Sequence, residues 1–250
     1  MLREHMKKFY SPSSTVACFC GSFDREKIIS LCKRFFGSPA SADELPPLSK
    51  AEFCTGVHIF DKKTEQNQIA IGFSAPSLES DSRFACQLIA SMLGGSASSR
   101  LFRRLREEQG LVYSVDACAS SYLSAGVFAV SMGVSRESEK KAVLTAAEVL
   151  REFPDTVTEE ELDLARDHYL SGLIMSLESN SARAARYGTG ELLLGGAISE
   201  KELEEKIRGV SIDEIRSLAR SFSSLSDACI CAVGRTAGAK FYNKVVSGKK

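Results

Sequence analysis

Residues 126–134 constrain the fold more than any other stretch of this chain, because apolar residues recur there at every second position. Phe128, Val130, Met132 and Val134 alternate with Val127, Ala129, Ser131 and Gly133. A period of two predicts a β-strand, since successive side chains point to opposite faces of a sheet. Three further strands are predicted, with a polar turn at 61–67 between the first two, over residues 57–60, 69–73 and 112–120.

Helical periodicity and capping residues predict most of the remaining structure. Asp81 is a candidate cap for a helix that ends at Gly94-Gly95, and a second helix over 99–109 ends at Gly110. From Glu137 onward the chain is predicted to be mostly helical. The predicted helices cover residues 137–153, 158–179, 181–195 and 199–207, with a final one from 211 towards 222.

The two ends of the chain resemble each other. Each has a helix, a serine-rich turn, and an Ala-Cys-x-Cys strand followed by glycine. We therefore predict that residues 1–37 are the last helix, strand (15–20) and helix of one domain, and that the proline-containing segment 38–50 is a linker. The predicted divisions are 1–45 for that domain end plus linker, 46–237 for a complete second domain, and 238–250 for a tail.

Charge and hydropathy argue against several classes of function. Lys plus Arg and Asp plus Glu both number 32, and the isoelectric point is about 6.8. This balance gives no attraction to a polyanion, so we expect neither a nucleic-acid nor a membrane partner. No apolar run approaches the roughly 20 residues of a membrane helix. The N-terminal residues lack the apolar core of a signal peptide.

The eight cysteines include two Cys-x-Cys pairs, Cys18 with Cys20 and Cys229 with Cys231, but no Cys-x-x-Cys pair. We expect both pairs to be small buried hydrophobes in a reducing, cytoplasmic environment. The alternative, a metal site, would need neighbouring ligands that the sequence does not offer.

The most informative segment is residues 93–115, with the sequence LGGSASSRLFRRLREEQGLVYSV. It resembles the second-domain signature of the insulinase, or pitrilysin, family of zinc metallopeptidases (inverzincins), in their processing-peptidase-like branch. Shorter stretches continue the resemblance along the chain, at residues 9–12, 68–73, 158–162 and 177–179.

The resemblance implies an α+β fold, in which an antiparallel sheet and helices packed on one of its faces form two layers. In the family this domain is duplicated, and the two copies close around a peptide. Residues 1–45 would then be the end of the catalytic-type copy, and residues 46–237 the C-terminal substrate-binding copy.

Arg106 and Tyr113 match a family pair spaced seven residues apart, which contacts the substrate and stabilises charge on the scissile carbonyl oxygen. The chemistry fits, because attack on a peptide carbonyl creates an oxyanion that a guanidinium and a phenol can stabilise. Without the resemblance, Arg106 would be interpreted as a solvated helix residue and Tyr113 as a packed strand residue. The resemblance therefore identifies Arg106 and Tyr113 as the candidate catalytic residues.

The zinc-binding H-x-x-E-H motif of the family is missing from this sequence. The three histidines, His5, His58 and His168, are not paired at helical ligand spacing. We therefore expect no metal ligand in this chain, and zinc only in the complete enzyme.

Two functions follow from this pattern. The first is the substrate-binding part of a zinc endopeptidase, inactive alone, whose partners are a peptide substrate and a zinc-bearing N-terminal domain or subunit. The alternative is a non-catalytic peptidase-like scaffold or partner subunit.

Overall fold

A five-stranded sheet forms the centre of the fold. The structure is a computed structural model and describes residues 1–11, 14–37, 49 and 51–248. The order in the sheet is β1-β5-β2-β4-β3, and all neighbours are antiparallel except β1 and β5. The strands are β1 (Gly56–Asp61), β2 (Asn67–Ala75), β3 (Val112–Ser121), β4 (Gly126–Val134) and β5 (Cys229–Gly234).

Helices make up most of the other described residues. They are α1 (Leu2–Phe9), α2 (Arg25–Phe36), α3 (Ser82–Gly94), α4 (Glu139–Thr156), α5 (Glu159–Ser176), α6 (Asn180–Leu194), α7 (Glu200–Gly209), α8 (Ile212–Arg220) and α9 (Ala239–Val246). A π-helix covers Phe102–Glu107, and a 3-10 turn covers Leu225–Asp227. None of the described helices is long and apolar enough to cross a membrane.

The chain divides into two compact units. One contains Met1–Ser49 and Ser171–Leu203, and the other contains Lys50–Leu170 and Glu204–Lys250. The second, here called the sheet unit, includes all five strands and the stretch that carries the candidate catalytic residues.

The core of the sheet unit lies on one face of the sheet. Alternate apolar residues within 69–73 of β2, 128–134 of β4 and 230–232 of β5 are at most 2% exposed, as expected for strands whose side chains alternate between two faces. Helices α3, α4 and α8 cover these residues with their own apolar sides. The predicted antiparallel sheet with helices on one face is therefore confirmed, with one parallel pair of strands in addition.

The first unit differs from the prediction at the proposed N-terminal strand. Helices α1 and α2 are present, and the Asp24 carboxylate caps α2 by accepting a hydrogen bond from the Lys27 amide at 3.0 Å. Residues 15–20, however, have no regular secondary structure. A strand needs hydrogen bonds from a neighbouring strand, and all the described strands pair within the sheet unit. The predicted linker, 38–50, lies outside the described residues except for Ser49.

The Cys-x-Cys pairs also differ from expectation. Cys18, Cys20, Cys229 and Cys231 are half-buried rather than buried. The fully covered cysteine is Cys86 on α3, where burial, with a smaller effect of Cys118, raises the pKa of the thiol to about 12.

A buried carboxylate holds the C-terminal helix to the rest of the sheet unit. Glu139, at the start of α4, is 0% exposed and accepts three hydrogen bonds. The donors are the Tyr242 hydroxyl at 2.6 Å, the Asn67 side-chain amide at 2.8 Å and the Ala237 backbone amide at 2.8 Å. Residues 238–250 were predicted as a tail, but α9 lies there and Tyr242 is fully buried. The prediction missed this helix because its stabilising partner is 103 residues away.

Replacing Tyr242 with Phe is expected to lower the free energy of unfolding by about 1–3 kcal/mol, because a buried carboxylate loses a hydrogen-bond donor. Urea denaturation followed by circular dichroism measures this loss. Tyr122→Phe is the control, since Tyr122 is 64% exposed. Equal stability of Tyr242→Phe and the wild type would show that the hydrogen bond to Glu139 does not stabilise the attachment of α9.

Candidate functional site

Arg106 lies in the π-helix of the sheet unit. The Glu108 amide donates to the Arg103 carbonyl at 2.9 Å, which is the five-residue spacing of a π-helix. Leu101 and Leu105 are 0% exposed and hold the inner side of this segment, so Arg106 lies on its outer, exposed side. The sequence predicted an ordinary helix here. π-helical turns are often found at functional sites.

The Arg106 guanidinium is available to a ligand. It lies 5.6 Å from the centroid of the Phe102 ring. No described residue forms a hydrogen bond or ion pair with it. Since a guanidinium has five N–H donors and no acceptor, these donors face solvent.

Tyr113 lies at a β-bulge at the start of β3. Val112 pairs with Val134, and Ser114 pairs with Gly133, so Tyr113 is the extra residue between them. A bulge disrupts the ladder and redirects a side chain. The Tyr113 side chain is 55% exposed, so it is not packed in the interior as the simpler interpretation would require.

A tight turn joins the π-helix to β3. Gly110 has φ +61°, in the left-handed region that glycine adopts without strain, and the Leu111 amide donates to the Leu105 carbonyl at 2.8 Å. Arg106 and Tyr113 therefore flank one compact connection, and both side chains are exposed. The spacing of the pair could be read from the sequence, but neither the π-helix nor the bulge was predicted.

Gly94 fixes the position of α3 against β3. A Cβ atom at Gly94 would lie 2.1 Å from the backbone nitrogen of Ala117, so only glycine allows this approach of helix and strand. The chain then continues through the short turn at Gly95 into the segment that carries Arg106. The Gly94-Gly95 turn thus serves packing rather than ligand binding.

A cavity of about 170 Å³ lies between the π-helix and α4, apart from both candidate residues. Charges of both signs line it, and the Arg104 guanidinium pairs with the Glu108 carboxylate at 3.5 Å. The lining residues are Arg100, Arg103, Arg104, Glu108, Val149 and Glu152.

The three histidines lie on separate elements. His5 is on α1 with its ring 4.7 Å from that of Phe9, His58 is on β1, and His168 is on α5 with Nδ1 3.4 Å from the Ser91 hydroxyl. Within residues 1–11, 14–37, 49 and 51–248, no three or more His, Cys, Asp or Glu side chains form a group that could hold a metal ion.

Comparison with known proteins identifies the class to which this fold and motif belong. The model of the peptidase M16 inactive domain matches residues 1–169. The chain therefore belongs to the peptidase M16 family, which confirms the resemblance seen in the sequence.

Two relatives are zinc proteases by name. The uncharacterized zinc protease YmxG of Bacillus subtilis is 30% identical over 220 residues, which cover 88% of this chain and 54% of the relative. An uncharacterized zinc protease of Rickettsia bellii is 29% identical over 245 residues, covering 94% and 58%. The chain thus spans about half the length of the curated relatives that it matches.

Solved structures confirm the fold. A protease from Helicobacter pylori has a TM-score of 0.73 at 19% identity, covering 86% of this chain and 53% of that one. A peptidase M16 inactive domain from Pseudomonas fluorescens has 0.72 at 18%, covering 86% and 52%. A chain of complex III2 from Candida albicans has 0.78 at 17%, covering 90% and 57%.

Replacing Arg106 with Ala, or Tyr113 with Phe, is expected to change the free energy of unfolding of the chain by no more than about 0.5 kcal/mol, because both side chains are exposed. Leu105→Ala, one position from Arg106 and fully buried, should cost about 2–5 kcal/mol. Chemical denaturation of the three variants tests this. A loss above about 1 kcal/mol at Arg106 or Tyr113 would assign that residue to packing.

Proposed function

We propose that this chain is the C-terminal, substrate-binding part of a zinc-dependent endopeptidase that hydrolyses peptides. The observation that carries the proposal is the pair Arg106 and Tyr113, which matches the family motif and has both side chains exposed. The zinc would be held by an H-x-x-E-H motif in an N-terminal domain or on a partner subunit, and this chain would bind none. A cytoplasmic location is part of the proposal.

The chemical role of the pair is to stabilise the transition state. Attack of zinc-activated water on a peptide bond places negative charge on the carbonyl oxygen. The guanidinium of Arg106 and the hydroxyl of Tyr113 can donate hydrogen bonds to that oxygen or to the neighbouring substrate backbone. Donors that are positioned before the reaction need little reorganisation as the charge develops, so they lower the barrier.

Exposure of both residues supports this role over a structural one. A buried arginine would need a carboxylate or carbonyl partner to offset its desolvation. Arg106 instead keeps its donors in solvent, so a substrate would not have to displace an internal partner.

A second candidate function is a non-catalytic scaffold or partner subunit. Two observations favour it: the matching family model describes an inactive domain, and one similar structure is a chain of complex III2. The scaffold would use the same fold without Arg106 and Tyr113 contributing to hydrolysis.

Substitutions in the assembled enzyme distinguish the two functions. With the zinc-bearing half present, Arg106→Ala should lower kcat for a peptide substrate about 100-fold, and Tyr113→Phe should also lower it, because each removes a transition-state donor. The matched controls are Arg103→Ala on the same segment and Tyr122→Phe at the other end of β3, which should stay close to wild type. Unchanged turnover in both the Arg106 and the Tyr113 variants would contradict the catalytic role and favour the scaffold function.

The chain alone is expected to bind no stoichiometric zinc and to cleave no peptide. Elemental analysis after dialysis against zinc, with the zinc-bearing half as a positive control, measures the first property. A fluorogenic peptide assay measures the second. One equivalent of zinc retained by the isolated chain would contradict the proposal that the zinc site lies outside this chain.

A further inference from the structure

Arg100 makes an extensive set of polar contacts just before the π-helix. Its Nε donates to Glu161 Oε1 at 2.8 Å, and its Nη2 donates to Glu161 Oε2 at 2.6 Å, so the pair is bidentate. Its Nη1 donates to the Thr156 hydroxyl at 2.5 Å, and Nη2 also donates to the Thr156 carbonyl at 2.8 Å. Nearly all the donors of this guanidinium are therefore occupied.

The contacts of Arg100 converge on the junction of α4 and α5. Its guanidinium carbon lies 5.0 Å from the centroid of the Phe153 ring, in the last turn of α4. Glu161, in the first turn of α5, also accepts from the Thr158 backbone amide at 3.1 Å. Burial acts to raise the pKa of the Glu161 carboxyl, but the hydrogen bonds from Arg100 and Thr158 outweigh it, and the pKa is lowered. The carboxylate thus stays charged and keeps Arg100 in place.

This anchor lies at one end of the segment that carries Arg106. Leu101 and Leu105, which follow Arg100 in the chain, are fully buried in the core. Beyond Arg106, the segment ends at the exposed Gly110 turn, where a Cβ atom would meet no other atom within 4 Å. Among the described residues, the side-chain hydrogen bonds that join this segment to other elements are those of Arg100.

We propose that Arg100 is a positioning residue for Arg106. Its bidentate pair with Glu161 and its bonds to Thr156 fix the direction of the π-helix, and this direction sets where the Arg106 guanidinium points. The inference rests on the proposed function of Arg106, since positioning has a catalytic consequence only if Arg106 stabilises the reacting carbonyl.

Hydrogen exchange in the chain tests the structural half of the proposal without any activity. Arg100→Gln should speed exchange of the Glu108 and Leu111 amides about tenfold or more, because their bonds to the Arg103 and Leu105 carbonyls depend on the direction of the segment. The amides of Ile71 and Val130 in the central strands report global unfolding and should change less. Unchanged protection of Glu108 and Leu111 would overturn the proposal whatever Arg106 does in catalysis.

Two further variants keep this test informative. Glu161→Gln preserves the shape of the anchor but removes its charge, so it should have a smaller effect in the same direction. Glu161→Gln can also replace Arg100→Gln in the exchange experiment if Arg100→Gln does not fold. Arg208→Gln is the matched control, because Arg208 pairs with Glu204 at 2.9 Å and Asp167 at 3.5 Å on the surface. It should leave exchange at Glu108 and Leu111 unchanged.

A double-mutant cycle in the assembled enzyme tests whether Arg100 acts through Arg106. Arg100→Gln should lower kcat about 10- to 100-fold when Arg106 is present, as expected for misplacement of a catalytic group. In the Arg106→Ala background the same change should cost no more than about twofold. Arg100→Lys should not restore kcat, because an ammonium cannot replace the planar bidentate fork.

The outcomes separate the two proposals. Equal losses in both backgrounds would show that Arg100 acts through overall folding, which overturns the positioning role. If Arg106→Ala alone has full turnover, the proposed function fails at that step, and the exchange data still decide whether Arg100 orders the segment.

Discussion

Burial of a single face of the sheet determines where the other features of the sheet unit can lie. Phe73, Phe128 and Phe222 are at most 1% exposed, and their ring centroids are 4.5–6.3 Å apart. Because Phe222 follows α8, this aromatic cluster ties the helical layer to the two central strands. Residues that contact a ligand must then come from the open face, the sheet edges or the connections, where side chains remain exposed. Tyr113 on the edge strand β3 and Arg106 in the connection before it both satisfy this constraint.

Apolar packing alone would leave the direction of several elements poorly determined, because the hydrophobic effect is not directional. Two carboxylates supply direction. Glu139 joins α4, β2 and the segment leading into α9, and Glu161 joins the start of α5 to Arg100. Both lie in the first turn of a helix, where the helix dipole favours negative charge. Burial, and then the hydrogen bond to Glu139, raise the pKa of the Tyr242 hydroxyl. The surroundings of Glu139 are therefore well shielded from solvent.

The parts of the fold that follow from local pattern could be predicted, and the parts that depend on distant partners could not. Alternation located β4, and the predicted ends of α3 lie within a residue of the observed ones, although the Asp81 side chain forms no capping hydrogen bond. The π-helix has no signature in its residues, and the bulge at Tyr113 depends on its pairing with β4. The expected strand at 15–20 failed because a short apolar run shows neither which strand pairs with it nor whether any does. The candidate residues could be identified from the spacing of a family motif. Only the structure shows that both side chains are exposed.

Arg100 and Arg106 show how one short segment can contain two arginines with opposite requirements. Arg100 is 23% exposed, and carboxylate, hydroxyl, carbonyl and aromatic partners surround its guanidinium. Arg106 is six residues later, and its guanidinium lies near the Phe102 ring but forms no hydrogen bond or ion pair with a described residue. A guanidinium with its donors satisfied internally can order the backbone, whereas one with its donors in solvent keeps them available to a ligand. Both are among the four arginines within residues 100–106, so residue type alone does not distinguish them. The distinction comes from the α4–α5 junction, which supplies hydrogen-bond partners for Arg100.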